Sequence, residues 1–359
     1  LRRIAMSKPV PTAIDHLAAL TGYRDRDLLD VTLAHALMDL LTPWGVAVYK
    51  LVGEEGEQRW LLRARLSMGQ PTAVSDPPWV GFETLPGRGS LPYLDESLRT
   101  QSVIVVPSAD ESDPETLTTT VFPLVAEGDA LGVVEVQSSE KLTSGMKRTV
   151  CSILRIYRNF HGLLDYSERD TLTGLLNRKT FDEAFLKTAH EGMALAGEGE
   201  GGRRHGGVGP VRHWLGVVDI DHFKQVNDRF GHLIGDEVLL LVARILRSTF
   251  RFQDRLYRFG GEEFVVLLRC SDEADAAHAF ERLRANMETY AFPQVGHVTA
   301  SVGFTQVLPG DAPSGAFERA DRAVYYAKQN GRNRVCSHEA LVREGKLRQD
   351  DKVGDVELF

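Results

Sequence analysis

The segment Arg258-Phe259-Gly260-Gly261-Glu262-Glu263-Phe264 runs directly into the apolar residues Val265 to Leu268 and reads as a β-hairpin with two acids at its tip. Arg255 to Phe259 alternates and is aromatic-rich, as a strand is, and Phe264 to Leu268 has the unbroken apolar character of a buried return strand. Gly260-Gly261 supplies the positive-φ positions that a tight turn demands. Adjacent carboxylates on a glycine-opened turn can meet a cation or a phosphate at close backbone range. A plain hairpin more often carries Asn-Gly and a single charge there.

Moving outward, Trp214-Leu215-Gly216-Val217-Val218 is a buried strand that ends on Asp219-Ile220-Asp221. Acids at the carboxyl end of a central strand project into a crevice, and once buried they need a cation, donors or water. Phe223, Lys224, Asn227, Asp228, Gly231-His232 and Gly235-Asp236 follow, and Asp236 is expected to open an apolar helix over Glu237 to Arg247. Asp219 and Glu262 are placed to share Mg²⁺, with Mn²⁺ as an alternative, since such ions take a few carboxylates together with water and phosphate oxygens. An ion held that way activates an attacking hydroxyl and neutralises charge on a leaving pyrophosphate. Lys224 suits phosphate binding, and so do Lys328 and Arg332 where a helix ends in Tyr325 to Arg334. Taken singly, each has a plainer role: Lys328 and Arg332 complement a helix dipole, Asp236 caps a helix, and His232 shapes a turn. Their order along one stretch is what points to a site.

At 359 residues the chain is expected to form two domains. A content of 43% hydrophobic and 26% charged residues is that of a soluble globular protein. With 42 Lys+Arg against 50 Asp+Glu the net charge is -8, which argues against a nucleic-acid partner but leaves room for a small anionic substrate. Cys151, Cys270 and Cys336 have no metal-type spacing, which suits a reducing compartment. The longest apolar run, Val238 to Leu246, is broken by Arg244, so no membrane span is expected. Leu1 to Met6 lacks the apolar core of a signal peptide; Met6 is read as the start, residues 1–5 as extraneous, and the location as cytoplasmic.

In the first half, after an N-terminal segment over 1–24, Asp25 to Leu41 reads as a helix. Strands follow at Gly45 to Val52, Arg59 to Leu66, Val103 to Val106, Thr119 to Val125 and Leu131 to Val136, with a looser Pro/Gly stretch from Gln70 to Leu94. This is one antiparallel sheet with flanking helices, a sensory module over 25–143. From Ser144 to about Asp170, Met146, Val150, Ile153, Tyr157, Phe160 and Leu164 repeat at four- and three-residue steps. Such a seam favours a parallel two-helix coiled coil over 144–169, the alternative being one amphipathic helix packed on its own domain. Asp170 to Arg178 is a turn leading into a helix over Thr180 to His190, Glu191 to Pro210 a mobile loop, and 339–359 a charged, frayed tail.

Two resemblances carry these readings further. Phe122-Pro123-Leu124 followed by Leu131-Gly132-Val133-Val134-Glu135-Val136 resembles a GAF domain, with a PAS-type module as the competitor. The sheet has no cysteine for a bilin and no cyclic-nucleotide signature, so its partner is an unidentified small ligand or none. Asp170 to Arg178 (DTLTGLLNR), Asp219 to Asp236 (DIDHFKQVNDRFGHLIGD), Arg258 to Phe264 (RFGGEEF), Ala300 to Thr305 (ASVGFT) and Ala320 to Val335 (ADRAVYYAKQNGRNRV) resemble the GGDEF family of diguanylate cyclases.

The second resemblance implies, over 170–338, an α+β or α/β fold of the nucleotidyl-cyclase, palm-like and ferredoxin-like type. It implies that Asp219, Glu262 and the carbonyl of Ile220 hold the metal, and that Asn227 and Asp236 read guanine. Phe223, Lys224, Lys328 and Arg332 would line the GTP site, and Glu263 would assist deprotonation of the 3′-hydroxyl or organise the turn. Two such domains must face each other, so a homodimer joined through the connecting helix and sensor domain is expected. Its products are cyclic di-GMP and pyrophosphate. Arg251 and Asp254 lie at the spacing of an RxxD inhibitory site for the product. The alternative is a catalytically silent module that binds GTP or cyclic di-GMP.

Overall fold

A computed structural model of the chain describes residues 13–22, 26–53, 56–70, 72–77, 80–106, 117–126, 129–186 and 212–348. The chain divides into two units, Leu1–Ser167 and Glu168–Phe359. The expected mobile loop from Glu191 to Pro210 lies outside the described residues.

In the first unit, β1 (Gly45–Val52), β2 (Arg59–Ser67), β3 (Ile104–Val106), β4 (Thr118–Ala126) and β5 (Asp129–Ser138) form a sheet in the order β2-β1-β5-β4-β3. Every pairing is antiparallel. Period-two alternation sorts its residues onto two buried faces. Val46, Val48, Phe122, Leu124, Val134 and Val136 pack with helices α1 (Ala13–Gly22), α2 (Arg26–Leu41) and α4 (Ser144–Glu168). Ala47, Tyr49, Trp60, Val121 and Val133 pack with α3 (Pro92–Thr100). Two helices were not legible in the sequence. α1 lies within the segment given no structure, where it buries Leu20, and α3 opens on Pro92 at the end of the stretch read as loose. Proline at a first helical turn loses no hydrogen bond.

The α4 seam requires a correction. Val150, Ile153, Tyr157 and Leu164 are buried in the first unit's own core, and Met146 and Phe160 pack against the same cluster. The stripe expected to face a second chain is satisfied within its own unit, because the sheet face under α1 and α2 offers it apolar surface. Polar contacts hold the helix there. The Tyr157 hydroxyl donates to Asp30, which also receives Arg63 Nε and Lys50 Nζ, each at 3.0 Å. Arg26 Nη2 donates to Asp165 at 2.8 Å.

In the second unit, β6 (Leu176–Asn177), β7 (Arg212–Ile220), β8 (Arg255–Gly260), β9 (Glu263–Cys270), β10 (Ala300–Gln306) and β11 (Val335–Ser337) form a sheet ordered β11-β10-β7-β9-β8-β6. The four inner strands pair antiparallel and the two edge strands parallel. One face packs on α6 (Phe223–Phe230), α7 (His232–Thr249) and α8 (Glu273–Thr289). The other packs on α5, described over 178–186, and α9 (Pro313–Gln329). The tail expected to fray instead begins with α10 (His338–Arg343). There Glu339 accepts from Thr305 Oγ1 at 2.6 Å and the Gln306 N–H at 2.9 Å, and Arg343 pairs with Glu273. Residues 349–359 lie outside the described residues.

Candidate active site

β7 is an inner strand, and its carboxyl end delivers Asp219 beside the β8–β9 hairpin. Gly261, at φ 52°, turns the chain, and Glu263 already belongs to β9, where it pairs with Asp219. The two acids therefore differ: Glu262 occupies the turn itself, while Glu263 starts the return strand. The hairpin is anchored from behind by Phe259, stacked on Phe317 at 5.1 Å and edge-on to Phe181 at 5.0 Å.

Asp219 is 5% exposed. Its Oδ2 takes Lys328 Nζ at 2.7 Å, and its Oδ1 is buried with no hydrogen-bond partner. Burial raises the Asp219 pKa, against the lowering effect of Lys328. Burial, then the charge of Asp219, raises Glu262; burial, Asp219 and Asp321 raise Glu263. An orphaned carboxylate oxygen among acids that resist ionising together is the donor set a divalent cation stabilises. Among the described residues no three or more His, Cys, Asp or Glu side chains form a metal cluster. Mg²⁺, which takes few carboxylates and completes its shell with substrate oxygens, fits such a partial site.

Asp221, two residues on, is different. It accepts from Thr299 Oγ1 and Ser301 Oγ, both at 2.7 Å, and from the Asn333 N–H at 3.0 Å. Its lone pairs are used to pin the loop after α9, the loop that carries Arg332. Arg332 itself is exposed, at φ 61°, with its N–H bonded to the Ala327 carbonyl at 3.0 Å.

The α6–α7 corner holds the residues expected at guanine. Asn227 is half-buried and packs so closely on α7 that a Cβ at Gly235 would lie 2.0 Å from its Oδ1. Asp236 follows and is exposed. The helix opens at His232 with Gly231 before it, so Asp236 lies inside α7 and does not cap it. Phe223 is 4% exposed and anchors α6 in the core, which leaves Lys224 at the surface. Ile220 is buried, and its N–H reaches the Glu262 carbonyl at 3.4 Å.

Arg251 and Asp254 lie at the far end of β8, roughly 20 Å from the acids by strand rise. Asp254 accepts from the Arg251 N–H at 2.9 Å, while the Arg251 side chain is exposed. Burial raises the Asp254 pKa against the charges of Arg251 and Arg282. Arg282 on α8, which donates to the Thr249 carbonyl at 2.8 Å, was not picked out from the sequence, and nothing local marks it.

Arg258 lies on β8, three residues before Gly261 in the hairpin. Its guanidinium donates to Asp170 at 3.0 Å and to the Gly261 carbonyl at 3.3 and 3.0 Å. Asp170 also accepts from the Thr173 N–H and hydroxyl at 2.8 and 2.7 Å. The turn that begins the second unit is thereby tied to the acid-bearing hairpin. Asp321, exposed on α9, was also missed; its charge is felt at both Asp219 and Glu263.

A family model described as "Diguanylate cyclase, GGDEF domain" matches residues 210–334. The chain is similar to diguanylate cyclase DgcP of Pseudomonas aeruginosa, 39% identical over 56% of this chain and 29% of that protein. It is similar to diguanylate cyclase DgcZ of Escherichia coli, 36% identical over 47% of this chain and 52% of that protein. It therefore spans about half or less of those two relatives. With diguanylate cyclase A of Treponema denticola the likeness is longer, 30% identity over 72% of this chain and 69% of the relative. On this extent of likeness the chain belongs to the GGDEF family of diguanylate cyclases.

Proposed function

We propose that this chain condenses two molecules of GTP into cyclic di-GMP and two of pyrophosphate. The observation that carries the reading is the buried, unpartnered Oδ1 of Asp219 beside the Glu262 turn. Asp219 and Glu262, with the Ile220 carbonyl, would hold Mg²⁺ or Mn²⁺, which neutralises triphosphate charge and favours an ionised 3′-hydroxyl. Lys328, now on Asp219, is placed to shift to a phosphate once a cation takes its position. Lys224 and Arg332 are the exposed cations that meet the other phosphate oxygens. Asn227 and Asp236 present an amide and a carboxylate to the guanine edge. Glu263, on the rigid strand with its pKa raised, orients the turn or accepts the 3′-hydroxyl proton.

One domain holds one GTP, and each 3′-hydroxyl attacks the α-phosphate on the other, so the reaction needs two chains. The first unit acts as a GAF-like or PAS-like sensor that sets their approach. Its five-stranded antiparallel sheet between helices supports this reading. Arg251, Asp254 and the neighbouring Arg282 bind the product and inhibit. The test is incubation of purified chain with GTP and MgCl₂, followed by separation of the nucleotides. Cyclic di-GMP and pyrophosphate in a one-to-two ratio are expected; a folded chain that binds GTP and yields neither would favour the silent module.

A further inference from the structure

On the α5 and α9 face of the second unit's sheet, Asp219, Val217 and Leu215 of β7 pair with Glu263, Val265 and Leu267 of β9. The four apolar residues are packed in the cluster that α5 and α9 cover, so by strand alternation Asp219 and Glu263 point to that side. Each helix brings a cation to this end of the sheet. From α9 comes Lys328, which Asp219 takes at 2.7 Å. From α5 comes Arg178, whose guanidinium lies 5.5 Å from the centre of the Phe259 ring in the hairpin.

Arg178 is exposed, and among the described residues its side chain has the ring contact but no hydrogen bond and no carboxylate partner. Its charge is felt at Glu263, where it acts with Lys328 against burial and the charges of Asp219 and Asp321. Neighbouring Arg258 differs, since its guanidinium is filled by Asp170 and the Gly261 carbonyl. Asn177 caps α5: its Oδ1 accepts from the Thr180 N–H and hydroxyl, both at 3.1 Å. Arg178 is therefore the first helical residue, where a cation opposes the helix dipole. A fold selected for stability alone would set an acid or a neutral residue there. The contact with Phe259 holds the guanidinium in place and leaves its N–H donors unspent.

We infer that Arg178 donates to phosphate oxygens of the GTP that reacts at Glu263, an inference that rests on the cyclase reading. On that reading the 3′-hydroxyl loses its proton beside Glu263, and the α-phosphate it attacks must come to the same place. The 3′-oxygen forms a bond to the α-phosphorus, the bond from that phosphorus to the bridging oxygen breaks, and pyrophosphate leaves with the electron pair. Arg178 neither gives nor takes a proton; it meets the charge that builds on the phosphate oxygens. A planar guanidinium suits two such oxygens at once. Lys224 on α6, Lys328 on α9 and Arg332 after it meet a triphosphate from their own elements and leave the α5 side to Arg178.

The test uses the full chain with MgCl₂. Arg178→Met keeps a long side chain on Phe259 and removes the charge. It should lower cyclic di-GMP formation at saturating GTP by about a hundredfold, the scale of a lost transition-state donor. Its Tm should move by less than about 2 °C, because the lost ring contact and the relieved dipole conflict are of similar size. Arg178→Lys, which keeps the charge, should retain several-fold more activity than Arg178→Met. A titration with 3′-deoxy-GTP, which cannot attack, at protein concentrations below those that support turnover, tells whose phosphate is met. Affinity reduced about tenfold or more by Arg178→Met assigns the contact to the chain's own GTP. Unchanged affinity with the loss of kcat assigns it to the GTP of the facing chain. The inference alone is overturned if the wild type makes cyclic di-GMP and Arg178→Met matches it, or if Arg178→Lys is no better than Arg178→Met. Absence of product from the wild type would overturn it together with the cyclase reading.

Discussion

Asp219 and Asp221 stand two residues apart on one strand end, yet their environments give them opposite tasks. Asp221 has its acceptor capacity filled by two hydroxyls and an N–H, whereas Asp219 keeps one oxygen buried and bare. Asp219→Asn should leave a folded chain and lower cyclase activity by more than about a hundredfold, the scale of losing a central electrostatic group. Asp221→Asn should instead lower stability, read as a reduced denaturation midpoint. The raised pKa values of Asp219, Glu262 and Glu263 have a pH consequence. Their folded forms hold protons more tightly than their unfolded forms, so their contribution to metal-free stability falls as pH rises above the ordinary 3.8 and 4.5 through the folded values. Cation binding needs the ionised forms and grows over the same interval. The Tm gain from MgCl₂ should be near zero at the acid end and reach a plateau toward neutrality, and Asp219→Asn should flatten it. Gly235 gives a sharper residue-level test. Alanine there would ordinarily favour a helix by about 1 kcal/mol, but its Cβ would meet Asn227 Oδ1 at 2.0 Å. Gly235→Ala should raise KM for GTP by about tenfold, the scale of a lost base contact, with little change in far-UV dichroism.

Between elements, two couplings matter. Arg258 links the Asp170 turn to the Gly261 carbonyl, so movement of the turn is felt at the acid-bearing hairpin. Arg258→Ala should cut kcat by about tenfold or more, as expected when a residue that orients the groups proposed to hold the metal is removed. Thermal stability should fall far less than kcat. The second coupling is α4 on its own unit. Because Ile153 is buried there, Ile153→Asp should unfold the first unit, seen as loss of its near-UV signal, before it reports anything on dimerisation. The strands and the hairpin were legible in the sequence because period-two alternation and glycine turns are local signals, and the strand starts at Gly45 and Arg59 match the structure. Asp219, Glu262 and Lys328 were legible through their order in the chain. The direction faced by the α4 seam was not, since a heptad stripe looks the same whether a sheet or a second helix covers it. Asp236 was misplaced by a turn because Gly231 and His232 open α7 without a side-chain cap. Arg282 and Asp321 act only through tertiary neighbours, so no local pattern could have named them.

For the molecule as a whole, the proposed function assigns half a catalytic centre to each chain. The second unit's sheet brings Asp219, the Glu262 turn and Lys328 together, and the proposed chemistry would take the same set from a second copy. The first unit carries its own buried core and its own charged network around Asp30. The most direct test is the rate of cyclic di-GMP formation against protein concentration, with full-length chain, GTP and MgCl₂. The account predicts product whose specific rate rises with protein concentration and then levels off, and more than about a hundredfold less from Asp219→Asn. GTP consumed without cyclic dinucleotide, or undiminished product from Asp219→Asn, would contradict it.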